Sequence, residues 1–451
     1  MRGSSSRSRL SYIAATERDR EEMLAAIGVP DLDTLFAQIP EEAQLKRPLN
    51  VPSGIAEQDV VALCERLAAQ NRHLGELVCF LGAGAYDHYI PAVVEAVTSR
   101  SEFCTAYTPY HPEASQGLLQ TIYEYQSMIC ALTQMEVSNA SLYDAATAIG
   151  EAAIMAAGIT NRSRVLVSRA VHPHYRQVLA TYTSGLGIEV AEVEYAAGVT
   201  DLPALWERLD ESVACVIVQY PNFFGCVEAL AQMAELARGA GALLVVCADP
   251  IALGLLRPPG AYGADIVVSE GQALGIPIGF GGPLLGMFAC RQEYLWHIPG
   301  RIVGATVDAE GRTAYTLTLQ TREQHIRREK ATSNICTNQA LAALAATAYL
   351  AALGRNGLRR VAELCFQKAH YAAQQICARP GFSSPWRAPF FKEFVINCGK
   401  PVAEVNRRLL DNGILGGLDL GRYYPELEGH ALFCTTEKRT KAEIVRLVEM
   451  L

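Results

Sequence analysis

Ala242-Leu243-Leu244-Val245-Val246-Cys247-Ala248-Asp249 is an apolar run of strand length that ends in a carboxylate. Such runs recur on both sides of it. Strands are predicted at 165–168, 188–195, 215–219, 243–248, 266–269 and 284–289, with helix-like stretches at 175–183, 202–209 and 229–239 between several of them. Strand alternating with helix implies an α/β unit, a mostly parallel sheet covered on both faces. Ligands of such sheets sit at the carboxyl ends of the strands, where Asp249 stands.

The texture changes away from this centre. Residues 17–71 carry an interrupted helical pattern. Val60, Leu63, Cys64 and Leu67 fall at helix spacing, Ser53 reads as a start signal, and Pro48 and Pro52 break the segment before it. That pattern describes an N-terminal arm, which either clasps a neighbour or caps this chain's own core. Beyond Thr321, helices are predicted at 338–353, 358–378, 402–412 and 441–451, with strands at 394–397 and 430–435, a smaller α+β unit. The expected organisation is a flexible leader at 1–10, a helical arm at 11–75, a large α/β domain at 76–320 and a C-terminal α+β domain at 321–451.

Composition narrows the function. The 451 residues are 50% hydrophobic and 19% charged, with a net charge of −8. That acidic balance disfavours nucleic acid and anionic membrane surfaces as partners. No apolar run reaches the roughly 18 residues of a membrane-spanning helix. The thirteen cysteines are scattered, with no Cys-x-x-Cys pair and no zinc spacing, so no metal site is expected. Reduced thiols point to a reducing compartment, the cytoplasm.

Several residues are candidates for a site. Asp249 either caps the next turn or holds a protonated ring nitrogen. His172 and His174 follow the strand at 165–168; a histidine there either stacks on a planar cofactor or is a surface group. Tyr143-Asp144-Ala145-Ala146-Thr147 opens a helix, a place for an anion. Asp144, however, is the natural N-cap; its carboxylate would take the free N–H groups and repel a phosphate, so it reads as a cap. The glycines of Gly279-Phe280-Gly281-Gly282 precede a strand and do not make a nicotinamide fingerprint. In the polar run from Thr321 to Asn338, Thr332, Ser333 and Asn334 either cap a helix or donate to an anion across an interface. The seven lysines are Lys46, Lys330, Lys368, Lys392, Lys400, Lys438 and Lys441, and none lies between Asp249 and Leu285.

Certain motifs carry a family resemblance. They are Phe80-Leu81-Gly82-Ala83-Gly84-Ala85-Tyr86-Asp87-His88, Tyr107-Thr108-Pro109-Tyr110, Ser115-Gln116-Gly117, Ser141-Leu142-Tyr143-Asp144, the loop from Gly271 to Pro283, and Thr321 to Asn338. In them the chain resembles the α subunit (subunit 1) of the two-chain glycine dehydrogenase (decarboxylating), the P-protein of the glycine cleavage system. The resemblance implies a fold-type I large domain, like that of aminotransferases, built for pyridoxal 5′-phosphate (PLP). It also implies that the Schiff-base lysine belongs to a β subunit and stands opposite Gln272 here. An amide forms no Schiff base. Asp249, His172, Asp144 and Gln272 are then vestiges of a cofactor site, and PLP is bound by the partner. The implied assembly is α2β2. It takes glycine, releases CO2 with the cofactor ring as electron sink, and passes the aminomethyl group to the lipoyl arm of the H-protein.

On this reading Thr332, Ser333 and Asn334 donate to the partner's PLP phosphate, and Tyr86, Asp87, His88, Tyr107 and Tyr110 wall the substrate. The competing readings are a structural scaffold with no residue in an active site, a self-sufficient enzyme using Lys330, and a nicotinamide dehydrogenase.

Overall fold

The computed structural model describes residues 14–45, 47–104, 107–335 and 337–451; the expected leader at 1–10 lies outside them. The chain divides at Asn71/Arg72 into two units. In the first, α1 (Glu17–Ile27) opens on a capping box between Thr16 and Asp19 and closes on Gly28, whose φ of 84° suits glycine. The helix α2 (Glu57–Ala68) holds Val60, Leu63, Cys64 and Leu67, but it starts after Ala56 without a side-chain cap. The expectation that Ser53 marks its start is therefore corrected.

The second unit is organised by a seven-stranded sheet. Its strands are β1 (Val137–Ser138), β2 (Arg164–Ser168), β3 (Glu189–Val193), β4 (Val213–Tyr220), β5 (Leu243–Ala248), β6 (Ile266–Glu270) and β7 (Gly286–Cys290). Their spatial order is β1-β7-β6-β5-β4-β2-β3. The five from β3 to β6 run parallel. The strand expected at 284–289 is β7, and it runs antiparallel to β6. The loop between them holds only a short 3-10 turn, Gly271–Ala273. Without a crossover helix to carry the chain back, the return is antiparallel.

The helices that cover the sheet include α3 (Gln116–Thr133), α4 (Ala145–Thr160), α5 (Pro173–Thr183), α6 (Leu202–Arg208) and α7 (Leu230–Gly239). Alternation along β5 shows why both faces need cover. Leu244, Val246 and Ala248 enter one core with Met233 and Ala237 of α7, while Leu243, Val245 and Cys247 enter the other with Ala148, Ile149 and Ala152 of α4. Burying each large aliphatic side chain contributes about 1.5–3 kcal/mol, which makes an uninterrupted apolar strand stable only in this central position.

A hairpin absent from the sequence reading, β8 (Ile302–Val307) with β9 (Thr313–Thr318), leads into the Thr321–Asn338 segment. The helix α8 (Ala340–Cys377) follows, broken by Gly354 at φ 58° and ψ −175°. It thus comprises the two helices expected there. The C-terminal part adds an antiparallel sheet, β10 (Glu393–Asn397), β11 (Leu418–Asp419) and β12 (His430–Cys434), with α9 (Val402–Asp411) and α10 (Lys441–Met450).

One glycine sets how closely β10 approaches the large sheet. The Phe391 N–H donates to the Gly225 carbonyl at 3.1 Å. A Cβ on Gly225, whose φ is 84°, would stand 2.0 Å from the Glu393 carbonyl oxygen. Only glycine permits this approach, and it delivers Lys392 and Glu393 to the carboxyl edge of the parallel strands.

Candidate functional site

Asp249 follows β5 at that edge. Its Oδ1 accepts the Ile251 N–H at 2.9 Å, capping the turn. Its Oδ2 meets Lys392 Nζ at 2.8 Å. Lys392 is 1% exposed. Burial opposes its charge, but Asp249 together with the Cys434 and Cys365 thiols outweighs burial and holds the ammonium above its ordinary pKa. The same nitrogen lies 3.5 Å from the centre of the Tyr86 ring and 3.1 Å from His88 Nε2. His88 Nδ1 meets Glu437 Oε2 at 2.6 Å. Burial, then the Lys392 charge, lowers the His88 pKa, so the ring is neutral. Its Nε2 accepts from Lys392 and its Nδ1–H donates to Glu437. A buried relay therefore runs Asp249, Lys392, His88, Glu437.

Glu437 gives this relay a pH signature. Burial opposes its charge, but the His88 donor and the Tyr89 N–H prevail and hold the carboxyl down at about 2. A depressed carboxyl stabilises the fold fully above its unfolded pKa, near 4.3, and loses that contribution as pH falls through the folded value. Glu437→Gln should flatten the acid limb of unfolding between roughly pH 4 and 2. Urea midpoints measured across that range check it, and an unaltered limb would contradict the assignment. His88, Cys365 and Glu437 also form a group of potential metal ligands within 4.8 Å of one another. The positive charge beside His88 is Lys392 itself.

Glu270 ends β6 and turns to the amino end of α4. It accepts N–H groups from Ala145 at 3.1 Å, Gln272 at 3.0 Å and Leu285 at 3.0 Å. Burial pushes its pKa up, against those three donors, to about 7. Asp144 caps the same helix by accepting the Thr147 N–H at 2.7 Å. The amino end of α4 thus has two carboxylates of its own. Gln272 is equally engaged: Oε1 accepts the Tyr86 N–H at 2.8 Å, and Nε2 donates to the Ile276 and Tyr86 carbonyls at 2.7 and 3.2 Å. His172 caps α5 by accepting the His174 N–H, and its Nε2 donates to the Ala83 carbonyl at 3.0 Å. Burial lowers its pKa to about 4. Its ring stacks on Tyr175 at 4.4 Å.

The cavity that Asp249, Glu270, Lys392, Glu393, Tyr86 and Tyr175 line measures about 30 Å³. That holds roughly two waters, against about 300 Å³ or more for an ordinary small-molecule pocket. PLP does not fit among these residues.

A second polar cluster lies around Arg301, immediately before β8. Its Nη2 donates to the Tyr110 hydroxyl at 2.9 Å, and its Nε lies 3.5 Å from Glu323 Oε2. His325 Nδ1 lies 3.6 Å from the same carboxylate oxygen, and its ring meets Tyr110 edge-on at 5.9 Å. Arg322 is buried and, among the described residues, donates to the Ile298 and Gly300 carbonyls alone. Eleven buried side-chain polar atoms lack a hydrogen-bond partner among the described residues; five belong to Thr108, Arg301, Arg322 and Glu323. Native proteins leave few such atoms, so their concentration in one place needs a cause.

The structure therefore brings Tyr110 together with the Thr321–Asn338 segment, through Arg301. Within that segment Thr332 and Ser333 are half-buried and Asn334 is exposed. The Ser333 hydroxyl accepts the Ile335 N–H at 3.0 Å and lies beside the buried Glu151, whose pKa burial raises against the influence of that hydroxyl. The side chains of Thr332 and Asn334 have no hydrogen bond among the described residues. The idea that these three residues cap a helix is corrected: α8 starts after Gln339.

Tyr107 is exposed at 73%. Tyr86, Asp87 and His88 turn inward instead. The Tyr86 hydroxyl donates to Glu393 at 2.8 Å, and Asp87 pairs with Lys438 and Arg439 at 2.6 and 3.2 Å. Sequence reasoning missed Lys392, Glu393, Glu270 and Arg301. A signal existed for the first two: in Phe390-Phe391-Lys392-Glu393-Phe394, adjacent opposite charges stand among aromatics. Charges so placed are buried with counter-charges.

A family model described as glycine cleavage system P-protein matches residues 10–451. A relative from Desulforamulus reducens, named probable glycine dehydrogenase (decarboxylating) subunit 1, is 56% identical over 98% of this chain and 99% of its own. A relative of the same name from Geobacillus kaustophilus is 54% identical, covering 98% of each. A crystal structure of glycine decarboxylase (P-protein) of the glycine cleavage system, in inhibitor-bound form, matches with a TM-score of 0.91 at 45% identity, over 98% of this chain and 99% of that one. The sphingosine-1-phosphate lyase of Burkholderia pseudomallei matches in fold alone, with a TM-score of 0.65 at 14% identity over 91% of this chain and 93% of that one. The expected class, an α/β fold of type I, is the one found.

Proposed function

The chain belongs to the glycine cleavage system P-protein family, and from that premise we propose that it is the subunit without a Schiff-base lysine in a heteromeric, cytoplasmic glycine dehydrogenase (decarboxylating), inactive alone. A lysine-bearing β subunit holds PLP, in an α2β2 assembly. The assembly decarboxylates glycine, releases CO2 and passes the aminomethyl group to the lipoyl arm of the H-protein. The contribution of this chain is the face formed by Tyr107, Tyr110, Thr332 and Asn334, which meets the partner's site. Ser333 serves that face by accepting the Ile335 N–H, which fixes the turn of the segment.

The observation that carries this reading is the cluster of unpartnered polar atoms around Arg301. Arg301 and Arg322 carry two positive charges against the one carboxylate of Glu323 that lies between them. Buried donors and acceptors left without partners cost about 1–3 kcal/mol each. A second chain that brings an anionic group to this face would offset that positive excess at short range.

The test is reconstitution. Co-expressed with a homologous lysine-bearing subunit, the chain should support release of CO2 from glycine in the presence of lipoylated H-protein. Borohydride reduction with PLP should label the partner's lysine and none here. A label on any lysine of this chain would overturn the reading. Within the complex, Thr332→Val with Asn334→Leu should weaken PLP retention about tenfold or more, since a hydrogen bond to a charged group contributes roughly 1.5–3 kcal/mol. Equilibrium dialysis measures it, and undiminished retention refutes the assignment of these two donors.

A further inference from the structure

Two buried titratable side chains at the carboxyl edge of the sheet have no part in the proposed reaction. Lys392 brings its ammonium to Asp249, and Glu270 brings its carboxylate to the amino end of α4. These two receptors, a strand-end carboxylate and a helix amino end, are chemically suited to the cationic ring nitrogen and the anionic phosphate of PLP. We propose that Lys392 and Glu270 stand in for the two charged ends of the cofactor, so that the former pocket is an ionic clamp that shuts β10 against the large sheet and excludes PLP. This rests on the family reading of the pocket given above, but not on the partner subunit.

The geometry supports it at four points. Lys392 and Glu270 are 1% and 9% exposed, so neither is a surface charge that drifted inward. Each is satisfied: the ammonium by Asp249, His88 and the Tyr86 ring, the carboxylate by three N–H groups. Glu393 reinforces the same closure, accepting the Ala83 N–H at 2.6 Å and the Tyr86 hydroxyl at 2.8 Å. The remaining cavity of about 30 Å³ leaves no space for a pyridine ring. An entering cofactor would have to separate a buried ion pair, and the uncompensated charge left behind opposes entry. The loss of the lysine at position 272 is thus one of three changes that close the site.

The clamp predicts the behaviour of a restored lysine. With Gln272→Lys alone, PLP added to the full chain should give no adduct at position 272. With Gln272→Lys, Lys392→Ala and Glu270→Ala together, the Asp249 carboxylate and the amino end of α4 are both vacant and the cavity larger. The amine introduced at position 272 should then condense with the PLP aldehyde, losing water, and borohydride should deliver hydride to the imine carbon to fix the adduct. Peptide mass mapping should place it at that position, and PLP should raise Tm for the triple variant alone. If the triple variant does not fold, the same comparison is made with Asp249→Asn added, which leaves no unpaired ion and keeps an amide that can bond the ring nitrogen. An adduct at position 272 with Gln272→Lys alone, or none in the folded variant lacking both Lys392 and Glu270, overturns the proposal. The readout is on this chain by itself, so failure to reconstitute glycine decarboxylation would leave the result standing, and the reverse also holds.

Discussion

Lys392→Ala is expected to destabilise the fold by about 3–5 kcal/mol, the cost of removing one partner from a buried ion pair. The reason lies in what remains. Asp249 would keep one bond, to the Ile251 N–H, and face an apolar void with its other oxygen. His88 would lose the donor to its Nε2 and Tyr86 the cation over its ring. Because β10 begins at Glu393, the damage falls where the C-terminal strands dock. The loss should be recovered in large part by Asp249→Asn in the same chain, which removes the orphaned charge. Thermal or urea unfolding of the single and double variants decides the matter. A single variant as stable as the parent would mean that the pair contributes nothing.

Arg301→Ala is expected to lower kcat/KM of the reconstituted complex about 100-fold, the scale of a misplaced contact near a reacting group. Arg301 anchors the Tyr110 hydroxyl at 2.9 Å and opposes Glu323 at 3.5 Å, so its removal frees the loop at Tyr110 and leaves a buried carboxylate unopposed. The hydroxyl accepts from Arg301, which leaves its own proton free to donate outward. Arg301→Lys should rescue little, because an ammonium lacks the planar fork that reaches both groups. A role confined to stability predicts a different outcome: the variant would lose Tm, yet the folded complex would keep its kcat/KM and its PLP. Steady-state kinetics referred to the folded fraction, with PLP retention measured beside them, separates the two roles.

Part of this was legible in the linear chain. The apolar residues from Ala242 to Ala248 can be satisfied only by burial on both faces, so the run announced β5, and its repetition announced the parallel sheet. The absence of lysine between Asp249 and Leu285 was equally plain, because it is a fact about residue identity. The hairpin of β8 and β9 was not visible. Its burial is partial and its strand signal weak, and it gains its place by packing against α3.

Lys392 shows where the linear reading ends. It lies outside the stretch between Asp249 and Leu285, and position along the chain says nothing about a contact between β5 and the start of β10. The approach that creates the contact depends on Gly225, which admits the Glu393 carbonyl. Ser333 is a similar case: the buried Glu151 of α4 lies beside it, a proximity that the linear chain does not show. Sequence alone determined the class of fold and the absence of an amine at Gln272, because apolar burial and amide chemistry are properties of residues. Only the tertiary structure decided that Lys392 meets Asp249 at the carboxyl edge of the sheet and that unpartnered polar groups gather at Arg301. Pairing of charges is a property of distance, and distance is set by packing.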